Sequence, residues 1–231
     1  MRNLAIIPAR SGSKGLRDKN ILSLNNKPLI AYTIEAAKSS NLFEEIFVST
    51  DSEEYAIIAR QWGAKVPFLR REELSSDTAS SWDVVKDTIL EYEKAGNHFD
   101  TVALLQPTSP LRKAEDISKG YDLFREKKAN AIVSVCEAEH SPLWCNTLPE
   151  DKSLKNFINK EIVSSPRQKL PSFYRINGAL YLVKIDYLMK TTSIFDEKCY
   201  ALEMEKQNSI DIDDIFDFKI AEALISSPIK K

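Results

Sequence analysis

The sequence predicts an α/β fold in which a mostly parallel sheet carries helices on both faces, in three layers. Two observations support this class. Short apolar runs alternate with longer segments of helical periodicity up to about residue 135. Several of the helical segments also begin at a capping residue or end at a glycine. The 231 residues suit one domain with a sizeable core.

The predicted strands are short and mainly apolar, as expected of strands buried on both faces. They cover residues 3–7, 45–50, 101–106, 131–135 and 179–185. The predicted helices space apolar residues three or four apart. They cover residues 28–40, 51–63, 80–96, 114–128 and 214–227. Pro28 suits a first helical turn, Asp51 or Ser52 would cap the second helix, and Gly63 and Gly96 would end the second and third helices.

The alternation stops between about residues 140 and 176. This segment contains prolines, serines and scattered aromatic residues without a clear period. We therefore expect it to form a protruding arm, outside the sheet but within a single domain that spans residues 1–231.

Composition excludes several classes of protein. A net charge of −2 gives no global attraction to nucleic acid or to an anionic membrane surface. No stretch approaches the roughly 18 apolar residues of a membrane span, and the first residues lack a signal-peptide pattern. Cys136, Cys145 and Cys199 are too few and too scattered for a disulfide framework or a zinc site, so we expect small buried residues rather than a catalytic thiol. We expect a cytoplasmic protein that binds neither nucleic acid nor membrane.

One loop is strongly basic although the chain is slightly acidic. Residues 8–20, PARSGSKGLRDKN, hold four basic side chains and two glycines directly after the first predicted strand. Ligands of open parallel sheets bind beyond the carboxyl ends of the strands, and glycines let backbone amides approach an anion. The loop is therefore expected to bind a polyphosphate, with a solvated basic loop as the alternative. Its spacing argues against a P-loop NTPase or a dinucleotide dehydrogenase.

A second motif, SIDIDD at residues 209–214, alternates apolar and acidic residues. In an extended segment this period puts Asp211 and Asp213 on one face. Two carboxylates suit Mg²⁺ that also binds phosphate and water, although the same acids could merely begin the last helix. For Asp214 and Asp217 we expect that capping role.

Five blocks of the sequence resemble the CMP-sialic acid synthetases, the cytidylyltransferases that activate nonulosonic acids. In family order they are IPARSGSKGLRDKN at 7–20, LRREELSSDTASS at 69–81, LLQPTSPLR at 104–112, PRQKLPSFYRINGALY at 166–181 and SIDIDDIFD at 209–217. The resemblance implies a three-layer, mostly parallel Rossmann-like sheet of the nucleotide-diphospho-sugar transferase type, with a small dimerisation arm. It also implies transfer of CMP from CTP to the anomeric hydroxyl of a nonulosonic acid, with Mg²⁺ as cofactor and pyrophosphate as the second product.

On the nucleotide side, the resemblance assigns seven residues to the CTP site. They are Arg10, Ser13, Lys14, Lys19, Asn20, Arg70 and Ser81. Arg10 and Lys19 would be catalytic, because they would stabilise charge on the α-phosphate and the leaving pyrophosphate. Asn20 would read the ribose or the base, and Arg17 and Asp18 would face solvent. The role of Arg70 could fall to its neighbour Arg71, since the assignment depends on spacing.

Catalysis would also involve the acidic motif. Asp211 and Asp213 would hold the metal, and Asp211 would help to deprotonate the anomeric hydroxyl, directly or through a water molecule on the metal. These two roles of Asp211 stay open at this point.

On the sugar side, the resemblance assigns Gln106, Arg167, Arg175 and Tyr181 to the acceptor, and an arginine fork suits its carboxylate. Gly178 is expected to be a backbone requirement. Because the region of Arg167 belongs in this family to an arm that crosses to a second subunit, we expect a homodimer with a composite site.

Trp144 departs from the polar or basic residue of the sialic acid-specific members. An apolar plane at this position favours a less hydroxylated, deoxy acceptor such as legionaminic acid. The alternative is that Trp144 only packs within the arm.

Two rival functions share some of these features. A Kdo cytidylyltransferase has a similar opening motif, but the QPTSPLR and RINGALY blocks argue against it. A non-catalytic nucleotide-binding protein could use the same fold. The presence of Arg10, Lys19, Asp211 and Asp213 together argues against a loss of chemistry.

Overall fold

The computed structural model describes residues 1–12, 15–76, 79–159, 162 and 170–227. In chain order the strands are β1 (Asn3–Pro8), β2 (Ser23–Leu24), β3 (Lys27–Pro28), β4 (Glu45–Ser49), β5 (Thr101–Leu104), β6 (Ala131–Glu137), β7 (Tyr174–Lys184) and β8 (Cys199–Glu203). The main six-stranded sheet has the order β4-β1-β5-β7-β6-β8, and β2 and β3 form a separate hairpin.

The helices are α1 (Leu29–Ser40), α2 (Glu53–Gln61), α3 (Ser81–Lys94), α4 (Ala114–Lys127), α5 (Ile185–Leu188) and α6 (Ile215–Ser226). Within the described ranges, five of the six helices match predicted ones, and only the short α5 was not predicted. The α2 cap is Ser52 rather than Asp51, because the Ser52 side chain accepts a hydrogen bond from the backbone of Tyr55. Asp214 and Asp217 form the capping box of α6, which confirms their predicted role.

The sheet is mostly parallel, but β7 runs against both of its neighbours. β1 pairs in parallel with β4 and β5, and β6 pairs in parallel with β8. β7 is antiparallel to β5 and β6, with Tyr181 opposite Leu104 and Arg175 opposite Cys136. The first half of β7 therefore lies at the carboxyl ends of β5 and β6, the same edge of the sheet at which the basic loop leaves β1.

Two parts of the sheet were not predicted. β7 begins at Tyr174 instead of residue 179, so the predicted arm is wrong over its last residues, 174–176. The strand β8 was missed altogether. Its five residues include only one buried side chain, Leu202, so it lacks the apolar run that marks an interior strand.

Two large hydrophobic clusters make up the core, one on each face of the sheet. In β1, Ala5 and Ile7 face one cluster while Leu4 and Ile6 face the other, as the period of a strand requires. The first cluster includes side chains of α1, α2 and α4, and the second includes side chains of α3 and α5. This arrangement confirms the three predicted layers.

A smaller cluster attaches the acidic motif to the domain. Leu24 of β2 and Leu29 of α1 pack with Ile212 and with Phe218 of α6. The buried Ile212 thus holds the SIDIDD segment in place while Asp213, the next residue, remains on the surface.

Arg112 joins the turn after β5 to the rest of the fold. Its buried guanidinium donates hydrogen bonds to the carbonyl oxygens of Gln106 (3.2 Å) and Ala179 (2.8 Å) and to the hydroxyl of Thr33 (2.5 Å). Burial lowers the pKa of Arg112 to about 9. The position of Gln106 at the sheet edge therefore depends on a residue for which no role was predicted.

The cysteines only partly match the prediction. All three are free, Cys136 is buried and Cys199 is half-buried, but Cys145 is exposed, so the expectation of burial is wrong there.

Among the described residues, no helix is long and apolar enough to cross a membrane.

Candidate active site

A cleft of about 570 Å³ opens at the carboxyl edge of β1 and β5. Seven of the predicted site residues line it: Arg10, Lys19, Asn20, Arg70, Ser81, Gln106 and Asp213. The lining combines the basic loop, the start of α3, the turn after β5 and the acidic motif. Ligand sites of open α/β sheets lie at this edge.

The basic loop is tied at one point to the connection between β4 and α2 and at a second point to α2 itself. The backbone and the hydroxyl of Ser11 both donate to the carboxylate of Asp51, at 2.8 Å each. Near the other end of the loop, the Tyr55 hydroxyl donates to Asp18 (3.1 Å). The expectation that Asp18 faces solvent is therefore only partly right, whereas Arg17 is 96% exposed. Burial acts to raise the pKa of Asp51, but the hydrogen bonds from Ser11 bring it below its ordinary value.

Asn20 supports the loop from inside. Its side chain is buried, and the amide nitrogen donates to the carbonyl oxygen of Arg10 (3.1 Å). This bond fixes the backbone from which the Arg10 side chain enters the cleft. Contact of Asn20 with the ribose or the base stays a prediction.

Arg70, and not Arg71, lies in the cleft. The guanidinium of Arg70 donates to the hydroxyl (3.0 Å) and to the carbonyl oxygen (2.6 Å) of Ser49 at the end of β4. Burial lowers the pKa of Arg70 to about 10, so the side chain keeps its charge at neutral pH. Arg71 forms an ion pair with Asp87 on α3 and does not line this cleft.

Lys19 connects the basic loop to the acidic motif. Its ammonium donates to the carbonyl oxygen of Ile212 (2.7 Å) and lies 3.6 Å from a carboxylate oxygen of Asp213. The two backbones also come close at Gly15, where an added Cβ would lie 2.6 Å from the carbonyl oxygen of Asp213. Glycine at position 15 is therefore required by the close approach of the two segments.

Asp211 lies behind the cleft in a less polar environment. Burial raises the pKa of its carboxyl, and the negative charge of Asp213 adds to this rise, while a hydrogen bond from Thr108 and the charges of Lys19 and Arg175 oppose it. One of its carboxylate oxygens, Oδ1, is buried without a hydrogen-bond partner in the described part of the chain. A buried, unpaired carboxylate oxygen is unfavourable unless a ligand supplies the missing partner.

The donors at this edge fit Mg²⁺. The unpaired oxygen of Asp211 and the exposed carboxylate of Asp213 are hard oxygen ligands on one short segment. No cluster of three or more His, Cys, Asp or Glu side chains that could hold a metal occurs among the described residues. Mg²⁺ is usually bound by one or two carboxylates together with substrate phosphates and water, so two donors suffice.

Gly178 allows Gln106 and Asp211 to occupy adjacent positions. Its backbone has φ +72°, which glycine adopts at no steric cost. A Cβ at this position would collide with Oε1 of Gln106 and would lie 3.6 Å from Oδ2 of Asp211. The prediction that Gly178 is a backbone requirement is confirmed.

The two remaining predicted sugar contacts of β7 lie beside Asp211. Arg175 donates to Glu139 at 3.3 and 3.4 Å and to the carbonyl oxygen of Ser209 at 3.2 Å. Tyr181 packs edge-to-face against Trp82 with ring centroids 5.8 Å apart. Burial, and then the charge of Asp211, raise the pKa of Tyr181, so its hydroxyl stays protonated.

Four predicted site residues that the structure describes do not line the cleft: Asp211, Arg175, Tyr181 and Trp144. Ser13, Lys14 and Arg167 lie outside the described residues. Trp144 ends a short 3₁₀ turn, is 42% exposed and does not line the cleft.

Besides Arg112, sequence reasoning missed three supporting residues. Asp51 was taken only for a helix cap, Thr108 lay unassigned within the QPTSPLR block, and Glu139 had no motif to mark it. Thr108 and Glu139 act on Asp211 and Arg175, and Asp51 fixes the basic loop through Ser11, all by contacts between distant segments that local patterns do not reveal.

The chain matches the Cytidylyltransferase family over residues 4–222. It belongs to that family. It is 38% identical to the CMP-N,N'-diacetyllegionaminic acid synthase of Legionella pneumophila, over 97% of this chain and 97% of that protein. It is 40% identical to the N-acylneuraminate cytidylyltransferase of Escherichia coli O18:K1:H7, over 94% of this chain but only 51% of that protein, so the chain spans about half the length of this relative.

Among solved structures, the fold is similar to a CMP:2-keto-3-deoxy-manno-octonic acid synthetase complexed with CTP. The TM-score is 0.73 with 16% sequence identity, and the match covers 99% of this chain and 100% of the other. At this identity the likeness concerns the fold. It confirms the predicted Rossmann-like nucleotidyltransferase architecture.

We predict that Gly178→Ala lowers cytidylyl transfer by about tenfold or more, since it displaces Gln106 and Asp211 and strains the backbone. Gly96→Ala is the matched control, because Gly96 has a similar φ of +78° with no atom near its added Cβ. Both variants are expected to lose thermal stability, but only Gly178→Ala loses turnover. Equal turnover of the two purified variants would contradict the role given to Gly178.

Proposed function

We propose that the protein transfers CMP from CTP to the anomeric hydroxyl of a nonulosonic acid and releases pyrophosphate. The observation that carries this proposal is the meeting of the basic loop and the acidic motif across one cleft, through Lys19, Ile212 and Asp213. The acceptor class is supported by the names of the Legionella and Escherichia relatives.

The cationic side of the cleft would bind the triphosphate. Arg10, Lys19 and Arg70 place three positive charges on its lining, and the first turn of α3 begins there at Ser81. Free backbone N–H groups at a helix start add to the attraction for an anion. Fixed positive groups around the α-phosphate stabilise the charge that develops there during transfer.

The reaction exchanges one bond to phosphorus for another. The anomeric oxygen forms a bond to the α-phosphorus, the bond from that phosphorus to the bridging oxygen breaks, and pyrophosphate leaves with the released electron pair. The proton of the anomeric hydroxyl must also leave the sugar acid during the reaction. Asp211 is the candidate base for this proton, directly or through water on the metal, because its carboxylate lies beside Gln106 and Tyr181 on the side of the sugar acid.

Asp211 and Asp213 would also hold Mg²⁺, which when bound neutralises phosphate charge. Asp211 is partly buried and does not line the cleft, whereas Asp213 is exposed on its lining. Lys19 acts on both carboxylates and limits their repulsion before the nucleotide binds.

The acceptor would enter from the side of β7. Arg175 offers a guanidinium fork for its carboxylate, and Gln106 and Tyr181 offer polar groups beside Asp211. In the free protein Glu139 holds the Arg175 guanidinium, so this side chain is aligned before the acceptor arrives.

The two rival functions fit less well. The likeness to the Kdo-type synthetase is at the level of the fold, at 16% identity. A binding protein without activity is less favoured, because the Legionella relative that this chain matches over nearly its full length is named as a synthase.

A pyrophosphate-release assay with CTP, Mg²⁺ and a panel of sugar acids tests the proposal. We expect release with nonulosonic acids and little with Kdo.

Lys19→Ala and Asp211→Asn should each lower kcat by about a hundredfold or more, because each removes a charge at the reacting phosphate. Asp211→Asn should keep or raise the melting temperature of the metal-free protein, since it replaces a buried, partly unpaired carboxylate.

Arg71→Ala is the matched control for the loss of a nearby positive charge, because Arg71 pairs with Asp87 outside the cleft. CTP binding without release from any acceptor would favour the binding protein instead. Wild-type rates in Lys19→Ala or Asp211→Asn would remove that residue from the mechanism.

We further propose that the enzyme is a homodimer whose arm completes the partner's site. Between β6 and β7 the chain exposes Leu143, Trp144, Leu148 and Leu154. Several exposed apolar side chains on one segment favour contact with a second copy.

A mixing experiment tests the composite site. Lys19→Ala and Arg167→Ala homodimers should each be nearly inactive. If Arg167 acts on the partner's site, each mixed dimer regains one intact site, so random exchange restores roughly a quarter of wild-type activity. If Arg167 acts on its own subunit, mixing restores none, and a monomer in sedimentation would reject the dimer itself.

Finally, we propose that the acceptor is a deoxy nonulosonic acid such as legionaminic acid. Trp144 supports this, because its apolar plane suits a sugar with fewer hydroxyl groups. We expect a higher kcat/KM for N,N'-diacetyllegionaminic acid than for N-acetylneuraminic acid. Trp144→Lys should reduce this preference by roughly tenfold.

Leu148→Ala, exposed in the same segment, should leave the preference unchanged and serves as the control. A higher kcat/KM for N-acetylneuraminic acid in the wild type would reject the deoxy acceptor. An unchanged preference in Trp144→Lys would assign Trp144 to packing of the arm.

A further inference from the structure

Three fully buried polar side chains form a hydrogen-bonded network behind the cleft. They are Ser134 of β6, Asn177 of β7 and Ser209 of the acidic motif, each with no exposed surface. None of them touches the cleft, and only Ser209 and Asn177 lie next to residues with predicted roles. Buried polar groups are costly unless they are fully paired, so a closed network at this position calls for an explanation.

The side chains of this network form a chain of hydrogen bonds in which each donates to the next. The Ser134 hydroxyl donates to Oδ1 of Asn177 (2.5 Å), the Asn177 amide donates to the Ser209 hydroxyl (2.9 Å), and Ser209 donates to the carbonyl oxygen of Glu205 (2.8 Å). The Asn177 amide also contacts the sulfur of Met204 (3.5 Å). A chain of bonds with one satisfied orientation holds its members in a single arrangement.

Where β7 bulges, side chains of the network take the place of the usual backbone partners between β6 and β7. Val133 pairs with Tyr181 and Val135 pairs with Ile176, so β7 takes five residue steps (181 − 176) while β6 takes two (135 − 133). The N–H groups inside the bulge bond to side chains instead, Leu180 to Ser134 (2.8 Å) and Ala179 to Asn177 (3.2 Å). The bulge contains Gly178, which leaves the space for Gln106 and Asp211.

The same network reaches the acidic motif just before Asp211 in the sequence. Ser209 lies two residues before Asp211, and its carbonyl oxygen accepts a further bond from Arg175 (3.2 Å). One residue after Asp211, the backbone N–H of Ile212 donates to the carbonyl oxygen of Thr108 (2.8 Å). Asp211 is therefore held between two anchored residues, although its own Oδ1 has no partner within the described chain.

We infer that Ser134, Asn177 and Ser209 are positioning residues that fix Asp211 for binding of the metal–nucleotide complex. They act through the bulge of β7 and the backbone of residue 209 and do not touch substrate. Groups behind a metal ligand commonly change metal affinity or activity by about 10–100-fold when they are removed. The inference rests on the proposed function, because it assumes that Asp211 is a metal ligand.

The test compares Ser209→Ala with Thr101→Val. Thr101 is equally buried, and its hydroxyl donates to Asn3 (2.8 Å) and bonds to Tyr121 (3.2 Å), but it lies at the amino end of β5, away from the site. Both variants lose a buried hydroxyl and are expected to melt at a lower temperature. The measurements are kcat, the Mg²⁺ concentration for half-maximal activity, and Mn²⁺ binding in the presence of CTP, followed by electron paramagnetic resonance.

We expect Ser209→Ala to bind Mn²⁺ about tenfold more weakly, to need correspondingly more Mg²⁺ and to lose kcat, while Thr101→Val matches the wild type in all three. Ser209→Thr keeps the hydroxyl and should restore most of the Mn²⁺ affinity. If Ser209→Ala does not fold, Ser134→Ala makes the same comparison from the far end of the network.

Normal Mn²⁺ binding and kcat in a folded Ser209→Ala or Ser134→Ala protein would overturn the inference and leave the network a purely structural element. Equal losses in Thr101→Val would overturn it as well, because destabilisation alone would then explain the effect. An inactive wild type would instead overturn the proposed function. The two failures are thus distinguishable.

Discussion

The attraction and close packing between two oppositely charged segments is the constraint on which the candidate site depends. The basic loop after β1 and the acidic motif before α6 are far apart in sequence, yet Lys19 bonds to the backbone of Ile212 and lies beside Asp213. The close approach at Gly15 leaves no room for a larger residue. The lysine of the loop gains an acidic partner, and the acidic motif, which the buried Ile212 anchors, gains a positive charge that lessens its own repulsion. A ligand that carries both phosphates and a cation matches the charges on both sides.

The reversed direction of β7 determines which side chains surround this pair of segments. A parallel strand between β5 and β6 would present its own carboxyl end to the cleft, whereas β7 presents its first half. That half contains Arg175 and Gly178, and its bulge makes room for Gln106, while Tyr181 follows opposite the end of β5. Arg112 fixes the turn after β5 by hydrogen bonds to the carbonyl oxygens of Gln106 and Ala179. The acceptor side of the site thus follows from the topology of the sheet, while the nucleotide side follows from the basic loop.

Patterns in the sequence predicted the elements that have strong local signals. Buried interior strands such as β1 and β5 are continuous apolar runs, and the five longer helices have clear apolar periodicity, so both were found with small errors at their ends. β8 and the start of β7 were missed, because an edge strand and a bulged strand expose most of their side chains. For the site, the basic loop and the acidic motif indicated Lys19 and Asp213, and the family resemblance indicated Gly178. The supporting contacts of Asp51, Glu139 and Arg112 depend on residues that meet only in the folded chain, and no local spacing could reveal them.

Asp211 illustrates how the fold supports a group that is unfavourable in isolation. Its carboxyl is buried, its pKa is raised and one of its oxygens lacks a partner in the described chain, so the free protein is less stable for holding it there. The large apolar clusters on both faces of the sheet supply the stability that offsets this cost. Because a cation would relieve the unpaired oxygen only in the folded state, binding of the metal–nucleotide complex would stabilise the protein by mass action. The lower stability of the free protein and its affinity for the ligand then have one cause. The backbone around Asp211 is fixed, and one oxygen of its side chain is left without a partner in the described chain.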